Sequence, residues 1–242
     1  MVKDCQRITV HAVTFAHQRG PVLYASLPHD IAPPAGPRTA GEGGGTRHRL
    51  VSILWGHLAA MERPLGKNGH PADRAALPLQ VVRGPLGKPH LLVGTSRGPA
   101  ISFSECGGKV WAALCGDESE IGIDVAGTDE FQGDYPVHRV FHAHELQQAS
   151  LLSGGDAAMA SALLWSIKES VVKALGCGFH LVDPREIRVH PSGAEGGGYA
   201  FSAWLSKKAL ARFPERAQGS LWIRSFPREK TWLSLALLDR QP

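Results

Sequence analysis

The sequence predicts an α+β fold in which antiparallel sheets pack against long helices. Three observations carry that expectation. Each half of the chain holds several strand-like runs and at least one long helical run. Glycine-containing turns separate neighbouring strand runs, the pattern of hairpins rather than of parallel crossovers. Finally, 43 % of the 242 residues are hydrophobic, enough to bury a substantial core as one large domain or two small ones.

Taken in order, Arg7–Ala16 (RITVHAVTFA) alternates as a strand does, and Val22–Leu27 reads as a second short strand. Residues 28–46 are rich in Pro and Gly and read as a loop; the Gly43-Gly44-Gly45 run lacks the Gly-Lys-Ser/Thr ending of a nucleotide loop. Arg49–Met61 has helical periodicity, with Leu50, Ile53, Leu54 and Leu58 on one face. Another loop is expected over 62–78. A strand-rich block follows: Leu79–Arg83, Ala100–Ser104, Val110–Cys115 and Ile121–Val125, with turns at Gly107-Gly108 and Gly116-Asp117. This order brings Ser104, at a strand end, near Asp124. Helices are expected at His138–Leu152 and Ala157–Leu175, the second ended by Gly176 and Gly178. The remainder supplies strands near Glu186–His190, Tyr199–Trp204, Ser220–Phe226 and Thr231–Leu238, and a short helix around Ser206–Arg212.

Charge divides the chain unevenly. Residues 1–115 hold 13 Lys/Arg against 6 Asp/Glu, whereas 116–242 hold 13 against 16. A basic half joined to an acidic half suits a polyanionic ligand between them, with a metal held by the acidic half. Nucleic acid is not the expected polyanion: the basic residues are scattered, without a basic helix, an aromatic RNA-binding signature or zinc ligands. Cys5, Cys106, Cys115 and Cys177 have no C-x-x-C spacing, so reduced, mostly buried thiols are expected rather than a zinc or redox site. There is no run of 18 apolar residues and no basic-then-apolar leader. The expectation is a soluble, cytoplasmic monomer with no membrane partner.

The most informative stretch is Trp165–Lys173, WSIKESVVK, with Gly122-Ile123-Asp124 upstream of it. On a helix Glu169 and Lys173 fall one above the other on one face. An exposed Glu-to-Lys pair is common on helices, but a carboxylate beside an ammonium also suits metal-assisted phosphate chemistry. The carboxylate holds a divalent cation on a phosphate, and the lysine covers neighbouring phosphate oxygens. By contrast, His142-Ala143-His144-Glu145 lacks the H-E-x-x-H spacing of a zinc hydrolase, and no G-x-S-x-G elbow exists.

Together these residues resemble the 4′-phosphopantetheinyl transferases, specifically the larger surfactin-synthetase type. The family pairs a Gly-Ile/Val-Asp strand with a Trp/Phe-Ser/Thr/Cys-x-Lys-Glu-Ser/Ala-x-x-Lys helix. Between the two, Arg139-Val140-Phe141 followed by Glu145 is similar to the family's Arg-x-Phe-x-x-x-Glu helix start. Gly87-Lys88-Pro89 matches a Gly-Lys-Pro element, and Ser102-Phe103-Ser104 the start of an Asn-Ile/Leu-Ser-His-Ser strand. His48-Arg49 falls where an arginine opens the first long helix. The resemblance runs from about residue 47 to residue 190.

The resemblance implies two similar subdomains, 1–115 and 116–242, related by a pseudo-twofold axis with coenzyme A between them. It implies transfer of the 4′-phosphopantetheine arm of coenzyme A to a serine of an acyl or peptidyl carrier protein, releasing adenosine 3′,5′-bisphosphate. Asp124 and Glu169 would hold Mg²⁺, Glu169 would also act as the base, and Lys173 would neutralise the pyrophosphate. Arg49 and Lys88 match positions near the adenosine 3′-phosphate and adenine, and Ser104 would offer its hydroxyl or N–H to phosphate. Lys168, about 100° round the helix from Glu169, is expected to make a second phosphate contact or to be surface charge. Trp165 is expected to pack against the Asp124 strand.

Two positions depart from the family pattern. Ala126 stands where longer members carry a further carboxylate, and Glu105 where they carry a phosphate-contacting histidine, followed by Cys106 in place of a serine. Glu105 must turn away, pair with a cation, or bind the metal in place of the missing carboxylate, and the last is favoured. A non-catalytic homologue that binds a carrier protein or nucleotide is the alternative reading.

Overall fold

A computed structural model describes residues 8–15, 20–29, 45–61, 77–116, 119–132, 135–213 and 220–239. Its architecture is the predicted α+β arrangement, with every strand pair antiparallel. The first sheet joins β1 (His11–Val13), β2 (Val22–Pro28), β7 (Lys109–Cys115) and β6 (Ala100–Cys106) in that spatial order. The second has five strands in the order β8 (Ser119–Gly127), β12 (Thr231–Asp239), β11 (Leu221–Pro227), β10 (Gly198–Leu205) and β9 (Ile187–Glu195). A small third sheet holds β3 (Leu79–Arg83), β4 (Pro89–Val93) and β5 (Ser96–Arg97).

The layers follow from the alternation of side chains along each strand. Helix α1 (Thr46–Met61) lays Leu50, Val51, Leu54 and Leu58 on one face of the first sheet, against Leu23, Ala25, Ala112 and Leu114. The opposite face of that sheet, through Val22, Tyr24, Ala113 and Cys115, meets Ile121, Ile123, Val125, Leu233, Leu235 and Leu237 of the second sheet. Residues one step along β12, Trp232, Ala236 and Leu238, turn instead to helix α4 (Ala157–Leu175), which supplies Leu163, Leu164, Ile167 and Val171. The result is helix, sheet, sheet, helix.

Where the two sheets meet along β6 and β8, both are edge strands. An edge leaves backbone N–H groups without a ladder partner. Here the hydroxyls of Ser102 and Ser104 take that place, accepting from the N–H of Ile123 and Val125 at 3.1 Å each.

Most predicted elements recur with small shifts. Helix α1 starts at Thr46 rather than Arg49, and the first strand contracts to His11–Val13. The single helix expected over 138–152 is two: α2 (Val137–Val140) and α3 (Ala143–Leu152), broken where Phe141 and His142 adopt extended backbone. Strands β4 and β5 were not anticipated; β4 opens on Pro89, whose missing N–H is tolerated at the first residue of a strand. A one-turn helix α5 (Lys207–Leu210), capped by the Ser206 hydroxyl on the Ala209 N–H, replaces the longer one expected around Ser206–Arg212. Among the described residues Cys106, Cys115 and Cys177 form no disulfide with one another, whereas Cys5, the predicted loop over residues 30–44 and most of that over 62–78 lie outside the described residues. Among the described residues no helix is long and apolar enough to cross a membrane.

Candidate active site

The site is built on close contact between β8 and α4. Gly122, Asp124 and Ala126 share the face of β8 turned to the helix. A side chain at Gly122 would force strand and helix apart, since a Cβ there would lie 1.8 Å from the Ser170 carbonyl oxygen and 2.7 Å from the Ala174 nitrogen. That approach lets Lys173 reach Asp124: its Nζ lies 2.6 Å from Asp124 Oδ1. The same ammonium stands 3.6 Å from Glu169 Oε2, one helical turn back. Asp124 is buried, and Glu169 and Lys173 are about three-quarters buried. Ser104 Oγ completes the arrangement, donating to Asp124 Oδ1 at 2.9 Å.

Burial pushes the Glu169 carboxyl above its usual range; the Lys173 charge pulls it down, and the Asp124 charge pushes it further up. Glu130, on the turn after β8, is also raised, first by burial and then by Asp124 and Asp129, while its hydrogen bond from Gly127 N (3.1 Å) and Lys173 act against the rise. Nearby, burial and then the charges of Glu130, Asp129 and Asp124 push the Cys106 thiol up to about 11, so it stays protonated and unreactive.

A cavity of about 1260 Å³ opens beside this centre. Its wall includes Lys173 and Cys177 at the end of α4, Ser102 and Phe103 of β6, Arg83 of β3 and Arg47 of α1. Arg49 is exposed and is not part of this wall. Arg47, two residues upstream in the first turn of α1, does line it. Lys88 does line the cavity, yet its ammonium is buried and donates to Glu120 at 2.5 Å and to the Ala174 carbonyl at 2.9 Å. It ties the small sheet to β8 and to the end of α4. Ser104 likewise spends its hydroxyl on Asp124 and the Val125 N–H, so it orients the carboxylate.

Two expectations are corrected. Lys168 is neither a surface charge nor a phosphate contact: it is fully buried, and its Nζ donates to Glu145 (2.9 Å) and to the carbonyls of Pro184 (2.8 Å) and Ile187 (2.7 Å). Three acceptors around one nitrogen require the ammonium form, although burial lowers its pKa before Glu145 raises it. Glu105 does not replace the carboxylate missing at Ala126. Alternation along β6 points it to the α1 side, away from Asp124, where it accepts from Arg47 Nη2 at 2.8 Å and lies 3.9 Å from His29. Trp165, expected to pack against the Asp124 strand, lies against the core cluster that includes Ala126 of β8 and meets Phe131, Phe141 and Phe179 there.

Residues 120–217 match the family model of the 4′-phosphopantetheinyl transferase superfamily. That span contains Asp124, Glu169 and Lys173, and also the Lys168–Glu145 pair. Solved structures that the chain is similar to include the ACPS–CoA complex of Chronobacterium ammoniagenes (18 % identity, TM-score 0.43, covering 52 % of this chain and 100 % of that one). A second is a holo-[acyl-carrier-protein] synthase from Neisseria meningitidis (19 %, 0.40, 50 % and 97 %), and a third a holo-ACP-synthase from Plasmodium yoelii (14 %, 0.39, 51 % and 95 %). No curated protein matches the chain.

Among the described residues no group of three or more His, Cys, Asp or Glu is arranged around one metal position. Asp124 and Glu169 nonetheless fit Mg²⁺ in donor type. That ion takes one or two carboxylates and completes its shell with phosphate oxygens and water. The Lys173 ammonium between the two carboxylates marks the position as one where they accept positive charge.

Proposed function

We propose that the protein is a magnesium-dependent 4′-phosphopantetheinyl transferase of the larger, two-subdomain type, with residues 1–115 and 116–242 as its subdomains. It moves the 4′-phosphopantetheine arm of coenzyme A to a serine of an acyl or peptidyl carrier protein, acting as a cytoplasmic monomer. The observation that carries this reading is the contact of Asp124 and Glu169 with Lys173, which lines a large cavity together with Arg47 and Arg83. A ligand with a reactive anhydride and a separate phosphate matches such a cavity.

In the reaction the serine hydroxyl oxygen bonds to the phosphorus next to the pantetheine. The bond from that phosphorus to the bridging oxygen breaks, and adenosine 3′,5′-bisphosphate leaves with the electron pair. Glu169 takes the hydroxyl proton, directly or through a water. Lys173 moves from the carboxylates to the phosphate oxygens and offsets the charge building on the leaving group. Asp124, fixed by Ser104, holds Lys173 before the ligand arrives and would then share Mg²⁺ with Glu169; when bound, that ion supplies charge neutralisation on the pyrophosphate. Lys88 and Ser104 support the site from behind, and Arg47 supplies the contact first expected of Arg49.

The test is incubation of the purified chain with coenzyme A, Mg²⁺ and apo-carrier proteins of fatty-acid, polyketide and peptide type, followed by mass spectrometry. Addition of the phosphopantetheine arm to the carrier serine is expected. Coenzyme A binding without transfer to any carrier would sink the enzyme reading and favour a non-catalytic binding protein.

A further inference from the structure

Glu105 faces a cavity cation in an arrangement that the reaction itself does not use. Arg47 lies over the Phe103 ring, its guanidinium carbon 5.4 Å from the ring centroid, and donates to Glu105 at 2.8 Å. Phe103 and Arg47 line the cavity, whereas Glu105, two residues along the same strand face, does not. The Arg47 and Glu105 side chains are each close to half exposed, so neither is locked away from an incoming ligand. The guanidinium has five N–H donors, which leaves several free for a second anion while one holds Glu105.

We infer that Glu105 acts through Arg47 to set how much the protein gains from the 3′-phosphate of its ligand, and so how well it tells coenzyme A from 3′-dephospho-coenzyme A. This rests on the coenzyme A reading of the cavity. With the anhydride at Lys173, the 3′-phosphate must seek another cation of the wall. The Lys88 ammonium is already held by Glu120 and the Ala174 carbonyl, which leaves Arg47, His48 and Arg83 to receive it. A phosphate on Arg47 gains the attraction of the guanidinium and meets the repulsion of the carboxylate bound to it. The carboxylate lies farther from such a phosphate than the guanidinium does, so its repulsion offsets part of the attraction. Wild-type protein therefore gains less from the 3′-phosphate than Arg47 alone would supply. Gln at 105 keeps an oxygen for Arg47 to bond and removes only the charge.

The experiment is calorimetric titration of the full chain with coenzyme A and with 3′-dephospho-coenzyme A, for wild type, Glu105→Gln, Arg47→Ala and the double variant. Glu105→Gln should tighten coenzyme A by roughly five- to tenfold at low salt, less as salt rises, and leave the dephospho form unchanged. In the Arg47→Ala background the gain should become much smaller. An equal change for both ligands, or none, overturns the inference, as does a full gain without Arg47. Wild-type protein that binds neither ligand overturns the coenzyme A reading and this inference with it. Binding of both by wild type without a selective effect at 105 overturns the inference alone.

Discussion

Lys173 and Asp124, 49 residues apart in sequence, meet at 2.6 Å because α4 lies directly on β8. The lysine is held by Asp124 and is about three-quarters buried, so its charge stands ready beside the cavity without facing bulk water. Replacing Lys173 by Ala should lower turnover by about 100-fold, the scale set by removal of one preorganised charge stabiliser. Carrier affinity should change little. Steady-state kinetics with carrier titration check this; normal turnover with weak carrier binding would put the lysine on the wrong surface.

Glu169 offers a test of sign. Its folded pKa is raised above 4.5, so the folded chain holds the proton more tightly than the unfolded one. The stability this brings is complete below the unfolded value and is lost as pH rises through the folded pKa. Glu169→Gln removes that loss. In metal-free protein it should raise Tm at pH 7, leave Tm nearly unchanged at pH 4, and abolish transfer. Melting curves at the two pH values decide it; a lower Tm at pH 7 would mean that the contact with Lys173 outweighs the burial of the carboxylate.

How much of this was readable beforehand depends on whether the deciding contact is local. The bounds Ala157–Leu175 and the Gly176 stop were legible because apolar periodicity and a glycine at φ 76° are properties of neighbouring residues. So was the approach of Ser104 to Asp124, which follows from strands joined by short turns. The roles of Lys168 and Glu105 were not legible. Lys168 is claimed by Glu145 and by two carbonyls whose positions depend on the turn into β9. Glu105 is claimed by Arg47, 58 residues upstream on α1, and no spacing in the sequence signals that pairing. Glu130, in the turn after β8, follows Asp124 by only six residues, but no motif in the sequence marks it.

The Lys168–Glu145 pair should be a stability element rather than a catalytic one. Both side chains are fully buried, and Glu145 also accepts from the N–H of His142 at 3.0 Å and of Val189 at 2.8 Å. Lys168→Met leaves the carboxylate buried without its cation, a loss of about 3–5 kcal/mol, which lowers Tm by roughly 10 °C in a chain of this size. Adding Glu145→Gln should restore part of it, since the amide oxygen still accepts while the charge is gone. Scanning calorimetry of the single and double variants reads this directly. An undisturbed single variant would show that the buried charge is hydrated.

Gly122 carries the last prediction. Its place in the Gly-Ile-Asp motif invites a role in turn formation, but it lies within an extended strand, paired with Ala236. Its lack of a side chain matters because α4 occupies the space: a Cβ would stand far inside contact distance of the Ser170 carbonyl carbon and oxygen and of the Ala174 nitrogen, all of them backbone atoms that no side-chain rotation can move aside. Gly122→Ala must therefore push α4 off β8, an overpacking cost of about 1–3 kcal/mol. The displacement also widens the gap between Lys173 and Asp124, so transfer should fall further than the loss of folded protein explains. Thermal melts alongside turnover per folded molecule separate the two effects. A variant with wild-type Tm and wild-type turnover would show that the helix and strand do not rest on each other as tightly as the 1.8 Å clash requires.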